Sequence, residues 1–211
     1  MRIDSIRRAV RFVGLALPLT WSTGSLAAQG AAASAYGVAV RTATINQTAP
    51  SAVLPTDGTL AQNQAGDVTV GTLVTAQDAF ATATGAADGT LSDAVSSATL
   101  GTVSILGGLI TADGVVAMAS STLGDSNAEG SSLANLVVNG AQVDDPAPNT
   151  RVDLPGVGYV LLNEQIANAG GITVNMIHVV LQQPVLGVLG SVIGYQTTGN
   201  IIVGSASSSV N

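Results

Sequence analysis

A succession of β-branched runs with almost nothing helical between them constrains this chain most. AYGVAVRTATI (35–45), DVTVGTLVTA (67–76), GTVSILGGLITA (101–112), LANLVVNG (133–140), TRVDL (150–154), GYVLLNEQ (158–165), GITVNMIHVVL (171–181) and NIIVGSASS (200–208) are rich in Val, Ile and Thr, with Gly, Pro, Asn and Asp between them. Side chains branched at Cβ lose rotamer freedom in a helix and pack well on a pleated sheet. No window sustains apolar residues at three- and four-residue spacing, and lysine is absent altogether. The expectation is therefore strand after strand and no amphipathic helix. In ITVNMIHVV, Ile172, Val174, Met176, His178 and Val180 alternate with Thr173, Asn175, Ile177 and Val179. Apolar residues fall on both faces, which suits a strand between two layers.

Two dipeptides point to antiparallel pairing. Asn139-Gly140 lies between LVV and AQV, and Asn-Gly is favoured in two-residue hairpin loops because both residues accept positive φ. Pro155-Gly156 lies between RVDL and VGYVLL, where Pro presets the first turn position and Gly the reversed second. An internal echo also runs through the chain. GTLVTAQDAFATA (71–83) and GGLITADGVVAMA (107–119) share Gly, Leu, Thr and Ala at matched places. Two stacked coils of a solenoid give such an echo, and so does plain compositional similarity. The expected fold is all-β, an antiparallel β-sandwich-like domain, with a short β-solenoid as the alternative. Residues 85–97 and 121–132 read as exposed polar loops, and 28–34 and 46–66 as edge or loosely held segments.

The N-terminus has the three-part layout of a secretory signal peptide. MRIDSIRRAVR carries four arginines, FVGLALPLTW is apolar, and Ser25-Leu26-Ala27 supplies the small residues of a cleavage site. The division expected is a signal-peptide helix over 1–27 and a single β-rich domain over 28–211. The exported chain would then be extracellular, on the cell surface or periplasmic, with no transmembrane segment in the mature part. Of the 6 basic residues only Arg41 and Arg151 lie beyond the signal, against 12 of the 13 acids, so the mature charge is 2 − 12 = −10. Phosphate backbones are held by clustered Lys and Arg, and this balance sets nucleic-acid binding aside. Cysteine is absent, so an exported domain of this kind relies on packing and hydrogen bonds without disulfides.

Residues with chemical potential are sparse. His178 is the only histidine; it reads as a structural residue within or at the rim of the core, and with no cysteine it cannot build a zinc site. Asp144, Asp145, Asp153 and Glu164 fall near one hairpin region, and glycoside hydrolysis uses two carboxyls at a set separation. That makes an envelope polysaccharide hydrolase the alternative function. Sugar sites stack their ligands on aromatic rings, however, and this chain has 2 Phe, 1 Trp and 3 Tyr. In DDPAPNT (144–150), Asp144, Asp145 and Asn149 are hard oxygen donors and so candidate calcium ligands. The same residues also form ordinary turns through side-chain to backbone bonds. PVLGVLGSVIG (184–194) is an apolar loop between two strands. It reads as a cover folded over one sheet; left exposed, it would be an adhesive or membrane-touching patch.

Several of these blocks, LGGLITADGV (106–115), SSLANLVVNGAQV (131–143), NTRVDLPGVGYVLLNEQ (149–165), GITVNMIHVVL (171–181) and NIIVGSA (200–206), together with ASAYGVAV (33–40), resemble the choice-of-anchor P family of bacterial secreted proteins. The resemblance implies an exported β-rich domain with variable C-terminal anchoring and carries no catalytic residues. This chain shows no recognisable anchor. The functional expectation is a secreted or cell-surface structural or interaction protein in adhesion, envelope coating or matrix assembly, without catalysis or cofactor. Its expected partners are further copies of itself or components of the cell envelope.

Overall fold

The structure, a computed structural model, describes residues 30–87 and 92–211. The expected signal peptide, 1–27, lies outside the described residues. What is described is all-β, with no helix, and therefore none long and apolar enough to cross a membrane. Sixteen strands follow one another: β1 (Ala31–Thr42), β2 (Asn46–Val53), β3 (Ala61–Val70), β4 (Val74–Ala87), β5 (Ser92–Leu100), β6 (Val103–Ile105), β7 (Ile110–Ala112) and β8 (Gly114–Thr122). Then come β9 (Asp125–Asn127), β10 (Ser132–Ala134), β11 (Val137–Val138), β12 (Ala141–Gln142), β13 (Thr150–Leu154), β14 (Gly158–Asn168), β15 (Gly171–Leu186) and β16 (Val192–Val210).

They form two antiparallel sheets. One has six strands in the order β13-β14-β15-β16-β1-β2. The other has ten, in the order β10-β8-β5-β4-β6-β7-β11-β12, with β3 beside β4 and β9 beside β8. Strands β16 and β1 pack across β8, β5 and β4, so the sheets lie face to face as a β-sandwich. The core between them is asymmetric. The larger sheet presents a row of alanines (Ala79, Ala81, Ala83, Ala94, Ala98, Ala117, Ala119) beside branched residues such as Val74, Val103, Ile105 and Val115, and the smaller presents Val38, Val174, Met176, Ile177, Val179, Ile201 and Val203. Small side chains on one face leave room for branched ones on the other, which is how a core without buried aromatic rings reaches native density. Two serine contacts bridge the layers: Ser121 and Ser208 share a hydrogen bond of 2.7 Å, and Ser96 donates to the Ser207 carbonyl at 2.9 Å.

The solenoid alternative is overturned, since every strand pair is antiparallel. The sequence echo nevertheless has a structural counterpart. Val74–Ala76 and Ile110–Ala112 pair with the two sides of β6, and Val74 and Ile110 both face Ile105. Residues 85–97 are a second correction. Residues 88–91 lie outside the described residues; Ala94 and Ser96 are fully buried, and β4 and β5 pair as far as Ala87 and Ser92. Their Ala, Ser and Thr composition mimics a loop, yet it is what an alternately buried strand needs against a close neighbouring sheet. Within 121–132, β9 pairs with β8, so that segment is only partly loop. The edge reading of 46–66 agrees with β2 at the end of its sheet and β3 paired with β4 alone.

A crease crosses the six-stranded sheet. Leu162 pairs with Ile177 and Glu164 with Asn175, leaving Asn163 and Met176 unpaired between them. The same row skips Gly204, Gly37 and Pro50 on the next three strands. Asn163 and Gly204 hold positive φ, 49° and 69°. An interruption of this kind displaces the alternation by one residue. On β15 the core-facing residues are Val174 and Met176 before the crease and Ile177 and Val179 after it; on β16 they are Val203 before and Ala206 after. The even alternation expected for 172–180 therefore fails beyond Met176, and His178 and Val180 face away from the core with Asn175.

Candidate functional site

The polar stretch 135–165 resolves into turns and clasps. Asn139 (φ 50°) and Gly140 (φ 78°) form the two-residue loop between β11 and β12. Leu154 accepts the Val157 amide at 3.0 Å across Pro155-Gly156, with Gly156 at φ 78°. Both hairpins are where the sequence puts them. The DDPAPNT link is tied to β14 by Asn149, whose amide donates to the Asn163 carbonyl at 2.9 Å and whose Oδ1 accepts the Gln165 amide at 2.9 Å. Asn163 Nδ2 reaches the Pro146 carbonyl at 3.3 Å. Asn163, Glu164 and Gln165 lie in the middle of β14, at the crease.

The calcium candidates are engaged in this scaffold. Asp144 Oδ1 accepts from Gln142 Nε2 at 2.8 Å, Asp145 holds φ 44°, and the Asn149 oxygen serves Gln165. Among the described residues no three His, Cys, Asp or Glu side chains gather as a metal cluster. Two of the four candidate carboxylates, Asp153 and Glu164, are taken up by different partners. Asp153 takes both Nε and Nη2 of Arg151 at 3.0 and 2.9 Å, and that guanidinium lies 3.9 Å from the centre of the Tyr159 ring. Glu164 belongs to a different group.

That group is a chain of polar side chains across β14, β15 and β16, on the face away from the core. Ser205 Oγ donates to Asn175 Oδ1 at 2.7 Å, and Asn175 Nδ2 donates to Glu164 Oε2 at 2.7 Å. The same Oε2 meets His178 Nδ1 at 2.9 Å, and His178 Nε2 meets Asn200 Oδ1 at 3.1 Å. Both imidazole nitrogens face oxygens, an arrangement that suits the doubly protonated ring. The hydrogen bond from His178, resisted by burial and joined by that from Asn175, holds the Glu164 carboxyl below its usual range. For His178, burial opposes the charge, but the bonds to Glu164 and Asn200 and the attraction of Glu164 outweigh it and raise the pKa. With 18% and 12% of their side-chain surfaces exposed, the pair is shielded from water. His178, expected within or at the rim of the core, lies instead on the outer face, held between Glu164 and Asn200. Ser205, the hydroxyl of the group, bonds Asn175 and makes no contact with the imidazole, so the set lacks the nucleophile–base contact of acyl-transfer catalysis. Glu164, Asn175 and His178 sit on two strands, and their convergence needs the strand register.

The arm at 184–194 is the largest departure from expectation. It is not a cover. Strands β15 and β16 continue past their neighbours: β14 stops at Leu181 and β1 at Gly199. The overhang is a free hairpin whose residues Leu186, Val188, Leu189, Val192, Ile193 and Tyr195 are all exposed, Leu189 to 95%. At the arm's base a cleft of about 430 Å³ opens between it and the Pro155-Gly156 hairpin, lined among others by Arg151, Asp153, Val157, Gln182 and Tyr195. Sequence reasoning named the apolar run and lacked the register that strips it of neighbours. No family model, curated protein or solved structure matches this chain.

Proposed function

We propose that this protein works outside the cytoplasm as a non-catalytic structural or interaction protein, at the cell surface or in the extracellular matrix, and that the β15–β16 arm is its contact element. The observation that carries the reading is the arm itself. Soluble monomers rarely hold so many contiguous branched side chains in water unless the patch is used. The three-part N-terminus, the absence of cysteine and the mature charge of −10 support export and argue against a nucleic-acid partner. The likeness of the sequence blocks to choice-of-anchor P proteins supports the same location. Fractionating cells that make the chain into medium, envelope and cytoplasm, with the N-terminal residue determined, tests this. The expected product is outside the cytoplasm and begins at Ala28; an uncut chain confined to the cytoplasm would end the proposal.

A further inference from the structure

We infer that the arm joins two copies of this chain, edge to edge, through the segment Val192–Thr198 of β16. This names the partner of the contact element proposed above and rests on that reading.

The first ground is backbone. Among the described residues Val192–Thr197 pairs with β15 alone, and through Thr198 no other described strand bonds this side until Gly199 meets Thr42. A strand edge of this kind is a template for another strand. Natural edges are guarded by lysine, by outward charge or by proline. On the opposite side of the arm Pro184 supplies that guard, whereas VIGYQTT (192–198) has neither proline nor charge. The open edge is therefore on β16.

The second ground is charge. From Gln165 to Asn211 the sequence has no Asp, Glu, Lys or Arg. In a molecule with so large an acidic excess, the β15–β16 arm is where two copies meet without setting like charges side by side. An antiparallel pair of identical segments is self-complementary about a two-fold axis, so the contact closes as a dimer and does not propagate. A lipid bilayer is the competing occupant, but the same unpaired backbone that welcomes a strand is costly in hydrocarbon, where open sheet edges do not occur.

The test is sedimentation velocity of the purified chain beside two variants, I193K/Y195K on the edge and V188S/L189S at the tip, each first checked for native circular dichroism. Dimers of the unsubstituted chain, weakened more than about tenfold by the two edge lysines, are the expected result, with V188S/L189S retaining dimer formation. A chain that stays monomeric at high micromolar concentration overturns the inference. So do dimers indifferent to the edge lysines. Cosedimentation with phosphatidylcholine vesicles, lost in V188S/L189S and without dimer formation, would assign the arm to membranes instead. A monomer recovered outside the cytoplasm would sink this inference and leave the proposed function standing; a dimer found only in the cytoplasm would do the reverse.

Discussion

His178 and Glu164 show how much a residue's meaning depends on its neighbours. Each is unremarkable in sequence, yet together with Asn175, Asn200 and Ser205 they form a satisfied polar chain in a partly dry setting, where losing one partner costs more than the pair contributes. The pH dependence follows from the shifts. The His178 pKa is raised, so its stabilisation is complete below the unfolded value near 6.5 and fades as pH climbs through the folded one. The Glu164 pKa is lowered, so its stabilisation is present above the unfolded value near 4.5 and fades as pH falls through the folded one. Glu164→Gln is expected to lower unfolding free energy by about 2 kcal/mol between those limits and by less on either side. Urea titrations across that range check it, and a pH-independent difference would refute it. Gly204 is a second such residue. At φ 69° a Cβ would stand 2.6 Å from Val115 Cγ1, so Gly204→Ala is expected to cost about 2 kcal/mol or more from backbone strain and collision, read as a lowered urea midpoint.

At the scale of elements, turns were the easiest to read and strand faces the hardest. Asn139-Gly140 and Pro155-Gly156 carry their geometry in two residues each, because φ preference is local. Gly156→Ala should destabilise by about 1 kcal/mol, measured by thermal unfolding. The run ITVNMIHVV could not reveal its own crease, since nothing in β15 alone announces that Asn163, Gly204, Gly37 and Pro50 stand in the same row. The arm is an element that buries little. Val188→Ser with Leu189→Ser should therefore shift unfolding free energy by no more than about 0.5 kcal/mol, seen as an unchanged melting temperature under conditions that keep the protein monomeric. A clear loss of stability would mean that the arm packs on its own domain after all.

For the whole molecule, the facing of an alanine-lined sheet against a Val- and Ile-lined one sets what the core tolerates. Ala81 and Ala117 are fully buried on β4 and β8, strands that pack against β1 and β16 of the opposite sheet. Ala117→Ile should cost about 1–3 kcal/mol by overpacking, and Ile177→Ala about 2–5 kcal/mol by the cavity it leaves. Denaturant titrations would show both as lower midpoints at constant m. Equal tolerance of the two changes would mean a loosely packed interior.

The amino-acid sequence by itself determined the class of this protein. A chain of β-branched runs, two tight turns and scarce helix formers has only sheets open to it. It also named the apolar run of 184–194 and the lone histidine. Tertiary structure alone decided which way each faces. Side-chain direction in a strand depends on register, and register here depends on the adjoining β14 and β16 and on β1 and β2 from the other end of the chain. The crease turned His178 outward to Glu164, and the different lengths of β14, β15, β16 and β1 left the arm without neighbours. Periodicity is a local property, whereas having a partner is a global one.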